Sequence, residues 1–182
     1  NPWTILLPTR PQPDTIVAIF LLRTFGNEHF PGIAHTRIEV NPMAPTENFD
    51  VLVAKRILPI DVGGGPLDHH GTTHCASELV ANMLHINDNP VLAKLLAYAK
   101  RDDAFGKGTV SSDPLDRAFG LSGLISSLNK QYPGEAQRIV EIVLPLIEAH
   151  YRASYEHLIE LPAILKEKKR LGEYTESHVV QD

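Results

Sequence analysis

The chemistry-bearing residues of this 182-residue chain concentrate in one segment, Ile60-Asp61-Val62-Gly63-Gly64-Gly65-Pro66-Leu67-Asp68-His69-His70-Gly71. The stretch Ile57–Val62 has the β-branched character of a strand. A strand that closes on Asp61 delivers a carboxylate to the carboxyl edge of a sheet, where open α/β folds place their sites. The glycines let the backbone turn sharply and return Asp68, His69 and His70 to that edge. Carboxylate oxygens with imidazole nitrogens make a hard-to-borderline donor set suited to manganese, magnesium or iron, with zinc also compatible. The bland alternative is a polar turn with surface histidines, but glycines flanking Asp-His-His bring no packing advantage. The glycine triplet is not followed by Gly-Lys-Ser or Gly-Lys-Thr, which excludes a P-loop, and the chain has no His-Glu-x-x-His or Cys-x-x-Cys to mark a zinc hydrolase.

The elements that must position these groups read as a parallel α/β sheet followed by a helical half. Trp3–Pro8 is a buried strand, and Arg10-Pro11-Gln12-Pro13-Asp14 is a stiff turn. Thr15–Phe25 is a helix with Asp14 as N-cap and Gly26 as stop; apolar on nearly all sides, it must lie deep. Ile33–Val40 is a second strand, and Asn41–Arg56 has the length of a parallel crossover, with Thr46–Ala54 either helix or strand. From Cys75 the period is helical: Ala76–Leu84, Val91–Arg101 opened by Asn89-Pro90, Leu115–Lys130 opened by Asp113-Pro114, and Glu135–Lys169. The last carries Ile139, Ile142, Val143, Leu146, Ile147 and Tyr151 on one stripe, with Pro145 and Pro162 as kinks. Residues 1–170 read as a single domain, and 171–182 as a tail or the start of a further domain, with Glu176–Val180 as its first strand in the latter case.

Composition narrows the function classes. Apolar residues make up 43% and charged residues 21%, a globular balance. No run approaches the ~20 apolar residues of a membrane span, and a net charge of -5 argues against long duplex DNA as a partner of this chain alone. One cysteine, Cys75, excludes an internal disulfide and fits a reducing, cytoplasmic setting; it reads as a small buried filler. Self-association is left open.

The segment resembles the DHH phosphoesterase superfamily, named for the triplet that stands here as Asp68-His69-His70. The phrase Ile60-Asp61-Val62-Gly63-Gly64-Gly65-Pro66-Leu67-Asp68-His69-His70 is similar to the branch of the melanocyte-proliferating-gene exonucleases; RecJ-type exonucleases and family II inorganic pyrophosphatases are further relatives of the superfamily. The resemblance covers Trp3 to about Gly108. It implies Asp61 as a metal-bridging carboxylate, His69 as a metal ligand and His70 as a phosphate contact. It also implies Asp14 from the Pro-Asp pair of a first motif, and an aspartate after a helix, Asp102 in preference to Asp103.

In that first motif, His-x-x-Pro-Asp-x-Asp, the leading His is replaced by Arg10 and the last Asp by Ile16, so each of two expected metal sites loses one ligand. Arg10 is then expected near Asp14 and Asp61, taking over charge or gripping a phosphate. His74 is a substitute ligand or a plain helix-start residue, Ser77 and Glu78 are orienting groups or caps, and Arg101 and Lys107 are anion contacts. The implied activity is hydrolysis of a phosphodiester or phosphoanhydride by manganese- or magnesium-activated water, on a phosphorylated small molecule or short nucleic acid. The alternative is a related phosphate- or nucleotide-binding domain without catalysis.

Overall fold

In a computed structural model the structure describes residues 2–40, 45–105 and 111–170. Strands β1 (Thr4–Leu7), β2 (Arg37–Val40) and β3 (Ile57–Pro59) form a parallel sheet of order β2-β1-β3. Thr4 of β1 pairs with Arg37 on one side and Ile57 on the other. Ile5 and Leu7 of the central strand have no exposed surface, because both sheet neighbours and the helices around them close over alternate positions.

Helix α1 (Pro13–Phe25) is the axle of the domain. Its residues from Pro13 to Leu22 are all buried, and it contacts α3, α4, α6 and α7. The expected all-round apolar helix is therefore found at the centre, but its start differs. Gln12, in extended conformation, is the N-cap, Pro13 opens the first turn, and Asp14 lies inside that turn with its carboxylate free for longer-range contacts. The chain before β2 also differs from the expected long strand: Gly32 adopts φ 90°, and Ile33–His35 form a single tight 3-10 turn.

The crossover to β3 contains helix α2 (Phe49–Ala54), capped by the Asn48 side chain on Asp50 N–H, which settles helix over strand. The helical half then runs α3 (Ala76–Met83), α4 (Ala93–Phe105), α5 (Pro114–Phe119), α6 (Leu121–Gln131) and α7 (Ala136–Tyr155). A π-helical turn (Glu156–Glu160) leads into α8 (Leu161–Arg170). The expected Leu115–Lys130 helix is two, because extended Gly120 ends α5 and caps α6. On α7 the buried residues are Ala136, Ile139, Val140, Val143, Leu144 and Ile147, whereas Ile142 and Leu146 of the expected stripe are exposed. No helix among the described residues is long and apolar enough to cross a membrane.

Candidate metal centre

The centre forms at the carboxyl edge of the sheet because β1 and β3 both end there. Leaving β1, the stiff Pro11–Pro13 segment starts α1 at once and places Asp14 in its first turn, where the helix dipole favours a negative charge. Asp14 is 2% exposed, and its Oδ2 accepts a hydrogen bond from Ala76 N–H at 3.0 Å, at the start of α3. Leaving β3, Asp61 turns into the left-handed region at φ 58°, a conformation that Asp tolerates better than most residues. Its N–H donates to Leu67 O at 2.9 Å and closes the glycine loop on itself.

Within that loop Gly63 has φ 91°, and a Cβ there would lie 2.7 Å from Pro45 Cγ, so only glycine fits without displacement. Gly64 N–H donates to Asp68 Oδ2 at 2.6 Å. The other Asp68 oxygen accepts from His70 N–H at 3.1 Å and contacts His70 Nδ1. Asp68 is thus the brace of the triplet. Burial alone would raise its pKa, but the Gly64 N–H, the His70 ring and the His70 N–H hold it below the ordinary value. The same Asp68 hydrogen bond raises the His70 pKa.

His69 is the hub. Its Nε2 lies 2.8 Å from Asp61 Oδ1 and 3.9 Å from Asp14 Oδ2, and its Nδ1 lies 3.6 Å from Asp103 Oδ2. Its ring stacks on His70 at 5.0 Å. Two groups of donors, Asp61-His69-His70 and Asp14-His69-Asp103, each lie within 4.8 Å of one another. Donors at right angles around an ion with bonds of ~2.1–2.3 Å stand about 3 Å apart, so these separations suit a divalent cation.

The close Asp61–His69 approach is not aligned as a hydrogen bond, and Asp61 Oδ1 is buried with no hydrogen-bond partner among the described residues. Its fellow oxygen, Oδ2, accepts from Thr15 Oγ1 at 3.1 Å. Burial raises the Asp61 pKa against the opposing pull of His69 and Thr15. Burial, with Asp61 next, raises that of Asp14 to about 6. Desolvated carboxylates around an imidazole make a donor set that could hold a divalent cation.

Several residues singled out in the sequence lie elsewhere. Asp103, not Asp102, faces His69; successive helical residues point about 100° apart, so α4 presents only one of them to the cluster. Asp102 is turned toward α6, where it accepts from Ser122 Oγ at 3.2 Å. Arg10 is exposed and forms no ion pair with Asp14 or Asp61 among the described residues. Asn129 Nδ2 donates to Pro11 O at 2.9 Å and draws this loop toward α6, so Arg10 lines a cavity of about 290 Å³ with Asp102, Ser126 and Lys130. Among the described residues Arg10 thus sits beside Asp102 and Lys130 and makes no ion pair with the cluster's carboxylates. Ile16 is fully buried in the core and offers no donor.

His74 is half-exposed and pairs with Glu78 at 3.6 Å rather than with the cluster. Glu78 caps α3 by accepting from Cys75 N–H and pairs with Lys100, Ser77 Oγ contacts Cys75 Sγ, and Cys75 is buried. Arg101 lies over the Tyr98 ring, beside a cavity of about 380 Å³. Lys107 and the 171–182 segment fall outside the described residues. Two groups escaped the sequence reading: Thr15, whose position beside Asp14 was its one clue, and the Ala76 N–H, which no side-chain pattern reveals. Compared with family models, curated proteins and solved structures, the chain finds no match, and the donor set itself is where any functional reading has to start.

Proposed function

We propose that this chain is a metal-dependent phosphoesterase of the DHH kind, hydrolysing a phosphodiester or phosphoanhydride on a phosphorylated small molecule or short nucleic acid. The observation that carries the reading is the buried Oδ1 of Asp61, without a hydrogen-bond partner among the described residues and 2.8 Å from His69 Nε2, with Asp14 and Asp103 on the other sides of the His69 ring. The donor chemistry fits manganese or magnesium, held by Asp14, Asp61, His69 and Asp103. Such an ion supplies Lewis acidity toward a phosphoryl oxygen and lowers the pKa of water.

The chain's own residues do the rest. Asp68 fixes His70 at the exposed rim, where its imidazole can face a phosphoryl oxygen and stabilise charge developing there. The α1 and α3 starts hold Asp14 while excluding water from its inner face. Because both candidate donor groups share His69, the reading favours one ion over two. Cys75 as the single cysteine supports a cytoplasmic setting.

The second reading, a phosphate-binding domain without catalysis, draws on Ile16, whose burial leaves no ligand at that motif position. Elemental analysis together with manganese-dependent cleavage of bis-nitrophenyl phosphate separates the two. The expected result is bound divalent metal and turnover, both lost in Asp61→Asn, which preserves the left-handed backbone that alanine would strain. Absence of turnover, with or without bound metal, favours the binding domain; no metal in the parent protein overturns the metal-dependent phosphoesterase.

A further inference from the structure

The carboxylate of Asp61 is divided between two tasks. Oδ1 has no hydrogen-bond partner among the described residues and faces His69 Nε2 at 2.8 Å, while Oδ2 is engaged by Thr15 Oγ1 at 3.1 Å in a fully buried contact spanning 46 positions in the chain. Thr15 has no exposed surface, and its hydroxyl oxygen accepts the Gln12 N–H at 3.4 Å. With an ionised Asp61 unable to donate, the single hydroxyl proton of Thr15 must point at Oδ2. The hydroxyl is itself tethered to the first turn of α1, the most deeply packed helix in the domain.

We propose that Thr15 is a positioning residue that fixes the rotation of the Asp61 carboxylate and reserves Oδ1 for the cation, making Asp61 a one-oxygen ligand. The proposal rests on the metal reading above and adds to it the means by which Asp61 is aimed. Asp14 is held differently, since the Oδ2 that accepts from Ala76 N–H is also its oxygen 3.9 Å from His69 Nε2. One carboxylate thus reaches the site from the first turn of α1 and the other from the loop after β3, each with one oxygen bonded to the start of a helix. Hydrogen-bond partners of this kind commonly change metal affinity ~10–100-fold when removed, because they orient the ligand and tune its basicity.

The test compares Thr15→Val, which keeps the shape and removes the hydroxyl, with Thr15→Ser, which keeps the hydroxyl. Manganese titration by calorimetry gives affinity and stoichiometry, and thermal melts in chelator report folding without metal. The expected result is an affinity loss of about tenfold or more in Thr15→Val, recovery to within a few-fold of the parent in Thr15→Ser, and a melt difference between parent and Thr15→Val that widens when manganese is added. Unchanged affinity in a folded Thr15→Val overturns the positioning role and leaves the metal reading standing. Equal losses in Thr15→Val and Thr15→Ser also overturn it, since they assign the effect to packing. No manganese binding by the parent overturns the proposal and the metal reading together. If Thr15→Val does not fold, affinity in Thr15→Ser and in the milder Thr15→Cys decides, with retention expected only in the serine variant.

Discussion

A buried carboxylate whose pKa is raised stores instability that a cation can release, and Asp14 is the clearest instance. Burial and the neighbouring Asp61 lift it from 3.8 to about 6. In metal-free protein the folded state then holds a proton on Asp14 in a pH range where the unfolded chain has lost it. Stability accordingly falls as pH rises from about 4 to about 6, and the destabilisation is fully present above that range. In chelator, Asp14→Asn is expected to be more stable than the parent at pH 7 by about 1–3 kcal/mol, at ~1.4 kcal/mol per pKa unit, with the gap closing near pH 4. Denaturant unfolding across that range measures it, and a gap independent of pH contradicts the assignment. With manganese added at pH 7 the order is expected to reverse, because the asparagine variant lacks one of the proposed ligands.

At the scale of elements, the glycine loop is a rigid delivery device and not a slack connection. Gly63 requires both a left-handed backbone and room against Pro45, whereas Gly64, at φ 67°, meets nothing within 4 Å of where a Cβ would sit. Gly63→Ala is expected to cost about 2–3 kcal/mol and to weaken manganese binding, while Gly64→Ala costs about 1 kcal/mol and leaves affinity near that of the parent. Denaturant unfolding and calorimetric titration of the two variants check the contrast; equal effects would show the loop to be tolerant. This loop was also the most legible part of the chain, since Asp61, the glycines and Asp68-His69-His70 announce a strand end, a turn and a donor set in uninterrupted order. The parallel sheet and the buried α1 were equally readable, from short β-rich runs and a helix without a polar face. The phase of the later helices was not. Asp102 and Asp103 are adjacent and chemically identical, and only packing of α4 against α1 and α6 decides which one turns to His69. On α7 two apolar stripes compete, and packing against α1, β2 and α6 leaves Val140 and Leu144 buried while Ile142 and Leu146 are exposed. Arg10 was placed by analogy with a motif, and the Asn129 tether that carries its loop toward α6 is a long-range contact that local sequence does not encode.

Across the whole molecule the described helices do not contribute evenly. Helix α1 touches most of its neighbours, while α8 packs chiefly on the preceding π-helical turn and buries no residue. The core is thus concentrated around α1, and Phe20→Ala there is expected to cost about 3–5 kcal/mol, the range for an aromatic lost from a packed interior, as read by denaturant unfolding. One feature of α4 reaches across this architecture. Asp103 leans on His69 from one side of the helix while its neighbour Asp102 is gripped by Ser122 at the start of α6. The two carboxylates leave adjacent positions of one helix about 100° apart, one toward His69 and the other toward α6. A shift of Asp103 toward a cation is expected to reach the Ser122 contact, which lies one residue away on the same helix. Manganese should therefore slow amide deuterium exchange along α6 as well as in the Asp61–His70 loop, and Ser122→Ala should abolish the α6 response alone. Helix α4 would then connect the proposed cation site to α6.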